Sequence, residues 1–313
     1  MKAYVLNTPG EAANLELKEL PVSSPAEGQV LVKVKAISIN PVDVKTRAGY
    51  GFYGRLKDVD PLILGWDIAG TVEQTGSGVT GLEPGDDVFG MVSFPGLGEA
   101  YAEYVNAPAA HLSLKPGNVS FESAAAATLA ALTAYQVLVK QANIGAGDKI
   151  LVPAASGGVG HFAVQIAKYL GAHVTGTSSA RNKDFVISLG ADEHEDYNLP
   201  ALDEKIRNFD FVFDTVGGES TDRFLPLIKP GGSLISIPAP QSEATQAKAK
   251  ELGVAISFYL VKSDGESMKE IAKLMEAGII KSHVSAVFPF GELPAAHLAV
   301  ESGRTTGKVI VAV

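Results

Sequence analysis

The chain has 313 residues, of which 46% are apolar and 19% charged, with a formal net charge of −9 and no cysteine. That length can bury two cores. The acidic balance argues against a nucleic-acid footprint, which needs a basic excess against phosphates, and the missing thiols exclude disulfides and thiolate-held zinc. No apolar run approaches the ~20 residues of a membrane span. The first twenty residues carry acids and no hydrophobic signal core, so no export signal is expected and the cytoplasm is the expected compartment. The histidines at 111, 161, 173, 194, 283 and 297 lie far apart without ligand spacing, and no metal site is expected.

Residues 1–120 read as mostly β. Short alternating or apolar runs begin near Lys2, Val30, Ile68, Asp87 and Tyr101, and Gly- and Pro-containing turns separate them, which predicts a barrel-like domain. A helix is expected there only around Val42–Arg47. The stretch from Ser38 to Tyr50 places Asn40, Asp43, Lys45, Arg47 and Tyr50 directly after a strand, and reads either as a solvated loop with an ion pair or as a site. The stretch from Leu64 to Val72 holds the only tryptophan, Trp66, and reads mainly as a core strand closely packed at Gly70.

One helix is predicted over residues 121–141, capped by Ser120, with Leu129, Leu132, Ala134, Val137 and Leu138 at helical spacing. Thr133 either returns its hydroxyl to that helix or serves a site.

From Lys149 the pattern changes to strands alternating with helices, the sign of a doubly wound parallel sheet. Ile150–Val152 is a buried strand. A turn of small residues follows it, then an apolar pattern at helical spacing from Phe162 to Leu170. The turn, Ala155-Ser156-Gly157-Gly158-Val159-Gly160, has the spacing of a dinucleotide fingerprint with alanine in the first place. Further strands are predicted near Val174, His194, Phe211, Ser233 and Val254. The tail, helix–strand–helix–strand from Glu266 to Val313, is expected to rejoin the N-terminal domain. The expected division is therefore 1–120 with 263–313 for the β domain, and 121–262 for the dinucleotide-binding domain.

The succession NPxDxKxR from Asn40, LGWDxAGxV from Leu64, GxEPGDxV from Gly81, LTAYQ from Leu132, AASGGVG from Ala154, FDTVGG from Phe213, GGSLISI from Gly231 and GKVIV from Gly307 resembles the medium-chain dehydrogenase/reductase superfamily. Within it the chain is most similar to the zinc-independent quinone oxidoreductase-like, ζ-crystallin-like and alkenal or enone reductases. The resemblance covers nearly the whole chain. It implies a GroES-like catalytic domain, a Rossmann domain and a nicotinamide cofactor. It also locates a departure: the Gly-His-Glu of zinc alcohol dehydrogenases stands here as Gly65-Trp66-Asp67, and their catalytic cysteine falls near Asn40-Pro41. Hydride transfer to an activated acceptor does not require the metal.

An acid at the end of the second Rossmann strand holds a ribose 2′-hydroxyl and repels a 2′-phosphate. Here the segment reads Ser178-Ser179-Ala180-Arg181-Asn182-Lys183, with Ser179 about 19 residues after Gly160, where the acid is sought. The hydroxyls with Arg181 and Lys183 point to NADPH, and Tyr197 is a candidate for the adenine side. The alternative is an ordinary serine cap with a solvated arginine. Thr215, Val216, Gly217, Ser236 and Ile237 fall at strand carboxyl ends, where ligands of such sheets bind. The resemblance adds Asn40 and Thr133 on the nicotinamide side, with Lys308 a further candidate. Asn40, Asp43, Lys45, Tyr50 and Trp66 are the substrate-side candidates, Tyr50 as proton or hydrogen-bond donor and water as the alternative. The expected activity is NADPH-dependent reduction of quinones or α,β-unsaturated carbonyls. Alternatives are an enoyl-thioester reductase and a non-catalytic NADPH-binding sensor or structural protein. By the same resemblance Val254–Val261 is an apolar edge strand, and pairing with its copy predicts a homodimer.

Overall fold

The N-terminal half is organised by one eleven-residue strand, Gln29–Ile39 (β3), nearly all of it buried. The computed structural model describes residues 1–198 and 208–313. Antiparallel pairing joins β3 to Asp67–Thr75 (β4), to Tyr104–Pro108 (β6) and to the terminal strand Lys308–Ala312 (β15). Asp87–Met91 (β5) and Leu112–Leu114 (β7) extend the sheet beyond β4, and Val284–Pro289 (β14) closes its other edge, parallel to β15. Lys2–Leu6 (β1) pairs with Leu15–Glu19 (β2). The second of these has no sequence signature, because only Leu15 in it is buried and the rest is charged or exposed.

Among the described residues six parallel strands make the second sheet: Lys149–Val152 (β8), His173–Ser178 (β9), Glu193–Asp196 (β10), Phe209–Asp214 (β11), Ile228–Ser236 (β12) and Ala255–Phe258 (β13). Their spatial order is β10-β9-β8-β11-β12-β13. Order reverses between β8 and β11, the switch point of a Rossmann sheet, where ligands bind outside the carboxyl ends. Leu151, Val212, Leu234 and Phe224 belong to the apolar core beside the sheet. The edge strand β13 is four residues long, shorter than the Val254–Val261 run that announces it. β10 ends at Asp196, one residue before Tyr197.

The chain forms two compact units, Met1–Leu132 with Lys262–Val313, and Thr133–Val261. The first boundary falls after Leu132 and not after residue 120. The helix Phe121–Ala126 packs on β3, β4 and β15, with Ala124, Ala125 and Ala126 fully buried, and Asp67 accepts the Leu129 N–H at 3.0 Å. The single helix expected over 121–141 is also interrupted. It becomes Phe121–Ala126, Leu129–Tyr135 and a wide turn Gln136–Gln141, where the Ala142 N–H reaches Val137 O at 2.8 Å. Such i→i+5 bonding widens a helix locally.

Candidate cofactor and active site

Between β8 and the helix Gly160–Tyr169, the backbone closes on itself. Ala155 N–H donates to Thr177 O on β9 at 2.8 Å, and Gly157 N–H to Ala154 O at 2.8 Å. A Cβ on Gly160 would stand 2.2 Å from the Ala154 carbonyl oxygen, so only glycine lets the helix start this near its strand. The amides of Ser156, Gly158 and Val159 meet no protein acceptor among the described residues. Unpaired amides at the N-terminus of a ten-residue helix are the kind of group that binds an anion. The turn therefore fits a dinucleotide pyrophosphate.

The next strand end is polar. Arg181 and Lys183 are exposed. Ser179 begins a turn there, and its hydroxyl oxygen accepts Asn182 Nδ2–H at 3.3 Å. Ser178 differs from its neighbour: it is buried, its hydroxyl donates to Ser179 O at 3.2 Å, and its oxygen lies 2.8 Å from His194 Nε2. Its bonds are used inside the fold, whereas Ser179 is only half-buried. Burial and then the Lys183 charge hold His194 below the ordinary imidazole range. Asp196, the nearby acid, accepts amide hydrogens from Asn198 and Ala180, which keep its carboxyl low. Tyr197 is half exposed beside this group.

At the switch point Asp214 is fully buried. It accepts the amides of Val216 at 3.0 Å and Gly217 at 2.8 Å and the Thr221 hydroxyl at 2.6 Å. Thr215 donates its hydroxyl to Pro153 O at 2.7 Å, tying this loop to the glycine turn. Ile237 N–H bonds Asp214 O at 3.1 Å. Ser236 Oγ is buried without a partner among the described residues, an orphan that a ligand hydroxyl or amide would satisfy. Thr133 is buried in its helix. Sequence reasoning missed Asp214, Asn182 and His194. Asp214 stands inside the FDTVGG signature and could have been found as an acid at a strand end; nothing local marks the other two.

In the β unit three of the nominated residues, Asn40, Asp43 and Lys308, come together around Asp67. Asn40, Asp43, Asp67 and Lys308 are all buried. Asn40 Nδ2 donates to Asp67 Oδ2 at 2.8 Å, Lys308 Nζ donates to Asn40 Oδ1 and to Ile39 O at 3.2 Å, and Lys308 Nζ stands 4.0 Å from Asp67. Asp43, at the start of the helix Pro41–Arg47, accepts the Asn40 N–H at 2.6 Å. Burial, then the neighbouring Asp67 charge, pushes the Asp43 carboxyl up to about 7. Burial also raises Asp67 against the pull of Lys308, and lowers Lys308 against the pull of both acids. Behind them Tyr101 and His297 share a 2.8 Å hydrogen bond, burial and Arg47 bringing His297 down to about 3. Arg47 pairs with Glu301 at 3.0 Å.

Trp66 is sealed in the core. Its indole N–H donates to Gly96 O at 2.7 Å and its rings meet Phe52 and Phe94 edge-on. The geometry gives it a packing role. Lys45 is exposed on the helix Pro41–Arg47. Tyr50 is 73% exposed between Gly49 and Gly51, both with positive φ. Among the described residues no three His, Asp or Glu side chains gather as a metal site, and no helix is long and apolar enough to cross a membrane.

Two family models match, the alcohol dehydrogenase GroES-like domain over residues 26–117 and the zinc-binding dehydrogenase over residues 189–311. A chloroplast envelope quinone oxidoreductase homolog of Arabidopsis thaliana is 37% identical, over 96% of this chain and 95% of its own. An NADPH-dependent alkenal/one oxidoreductase of the same plant is 34% identical, over 99% of this chain and 79% of its own. The solved quinone oxidoreductase of Coxiella burnetii superposes with a TM-score of 0.94 at 35% identity, covering 100% of this chain and 99% of that one. The chain belongs to the quinone oxidoreductases of the medium-chain dehydrogenase/reductase superfamily. It is an oxidoreductase with a GroES-like unit and a Rossmann unit.

Proposed function

We propose that this oxidoreductase uses NADPH to reduce quinones or α,β-unsaturated carbonyls, without zinc. The observation that carries the cofactor choice is the end of β9: Arg181 and Lys183 are exposed, Ser179 is half-buried, and the nearby carboxylate of Asp196 already holds amides. Cations and hydroxyl donors suit a phosphate monoester. The glycine turn would hold the pyrophosphate, and Thr215–Gly217, with Ser236 and Ile237, the ribose and nicotinamide. When bound, the reduced nicotinamide supplies a hydride. The names of the matched relatives, a quinone oxidoreductase homolog and an alkenal/one oxidoreductase, support the acceptor class.

On the protein's side Tyr50, exposed on a loop bounded by two glycines, offers the hydroxyl that donates a proton to the developing oxyanion, and a water can replace it. Independence from zinc is supported by the mutual saturation of Asn40, Asp67 and Lys308 at the positions where the resemblance places metal ligands and their neighbour. The working form proposed is a cytoplasmic homodimer paired through β13. That strand ends its sheet, and its Ile256 and Phe258 remain partly exposed. Sedimentation velocity at micromolar concentration should give a dimer; a monomer removes this part.

Single-turnover oxidation of bound NADPH, followed by absorbance against a quinone panel and an enone panel, tests the activity. Oxidation with either panel is expected. Tight NADPH binding with no oxidation by either contradicts the proposal.

A further inference from the structure

Two serines of the Rossmann unit, Ser156 in the glycine turn and Ser179 after β9, lie on separate loops, and one side chain joins them. Asn182 Nδ2 carries two hydrogens; it reaches Ser156 Oγ at 3.0 Å and Ser179 Oγ at 3.3 Å. A hydroxyl has one hydrogen and two lone pairs. Each serine here accepts from Asn182, so each keeps its hydrogen for something else. Among the described residues neither hydroxyl makes another hydrogen bond. Ser178 shows the contrast, because its hydroxyl already donates to Ser179 O.

We propose that Asn182 is a positioning residue that turns the hydroxyls of Ser156 and Ser179 into outward hydrogen-bond donors, one for the pyrophosphate and one for the 2′-phosphate of the cofactor. Its second clause rests on the NADPH reading above; its first does not, since NADH and NADPH share the pyrophosphate. Donors matched to anionic oxygens make the stronger class of hydrogen bond. The same amide ties the turn before the helix Gly160–Tyr169 to the turn after β9, so the two phosphate subsites are set at a fixed spacing. Two neighbouring groups sharpen the arrangement. The Lys183 ammonium and the Arg181 guanidinium supply charge, whereas Asn182 supplies direction without charge.

The substitutions Asn182→Ala and Asn182→Asp separate orientation from bulk. Alanine frees both hydroxyls. Aspartate, an acceptor only, pulls both hydrogens inward. Dissociation constants for NADH and NADPH, by fluorescence titration, are measured in wild type, both variants, Ser156→Ala, Ser179→Ala and the two doubles with Asn182→Ala. Asn182→Ala should weaken NADH severalfold and NADPH by about tenfold or more, the scale of a lost bond to a charged group. Asn182→Asp should weaken both further. In the Ser156→Ala background the NADH loss should vanish; in the Ser179→Ala background the extra NADPH loss should vanish. Unchanged affinities in Asn182→Ala, or losses that simply add in the doubles, overturn the proposal. A wild type without preference for NADPH overturns the cofactor reading and the Ser179 clause, while the NADH losses still decide the Ser156 clause. Melting temperatures of all variants distinguish lost positioning from lost folding.

Discussion

Two polar clusters, one in each unit, stand in opposite states. In the β unit Asn40, Asp67 and Lys308 use their donors and acceptors on each other, all buried. In the Rossmann unit Ser156 and Ser179 accept from Asn182 and keep their hydrogens, Ser236 Oγ has no partner among the described residues, and Arg181 and Lys183 reach solvent. A closed network fixes a scaffold; open donors at strand ends await an anion. A polar residue near a strand end therefore marks a binding surface only when its hydrogen bonds are unfinished.

The sharpest way to break this contrast is to open the closed network. Lys308→Met leaves Asp67 buried without its cation, and breaking a buried pair costs about 3–5 kcal/mol. Urea unfolding should show a loss of that size, with the NADPH affinity of the surviving folded fraction little changed. A loss below about 1 kcal/mol would mean that the cluster is wetter and looser than a closed scaffold.

That asymmetry also explains what could be read from sequence. The alternation of strands and helices from Lys149 onward, with Gly160 at its fixed place, makes the Rossmann order legible, because spacing encodes it. β2 was not legible, since charged residues dominate it and its pairing comes from β1. Asn40, Asp43 and Lys308 were legible as residues of interest, but not as partners: Lys308 joins Asn40 from 268 positions away. Trp66 drew notice as the sole tryptophan, and only packing shows that its N–H is already taken by Gly96. Asn182 was hidden for the opposite reason. One small amide in a loop carries no pattern, and its role exists only through the two serines that it reaches.

A smaller effect sharpens the same comparison through pH. Asp43 is raised to about 7, above the ordinary value of about 3.9 that the unfolded chain restores. Between those values the folded state binds the additional proton, so this group's stability is fully present below about pH 4 and is lost as pH rises through about 7. Asp43→Asn keeps an acceptor for the Asn40 N–H and removes the titration. The fall in melting temperature from about pH 5 to about pH 8 should shrink by roughly 4 °C, since about two pH units below the raised value carry about 1.4 kcal/mol each and the unfolding entropy is about 2.1 cal/mol/K per residue. Parallel profiles for wild type and variant would show that Asp43 ionises as an ordinary carboxylate.

The central claim, that the open strand end of the Rossmann unit is built for a 2′-phosphate, is tested most directly by titrating wild type and Arg181→Glu with NADPH and with NADH. Wild type should bind NADPH at least about tenfold more tightly, and Arg181→Glu should abolish this preference while NADH affinity is kept. A wild type that prefers NADH, or an equal loss for both cofactors in the variant, would contradict that claim.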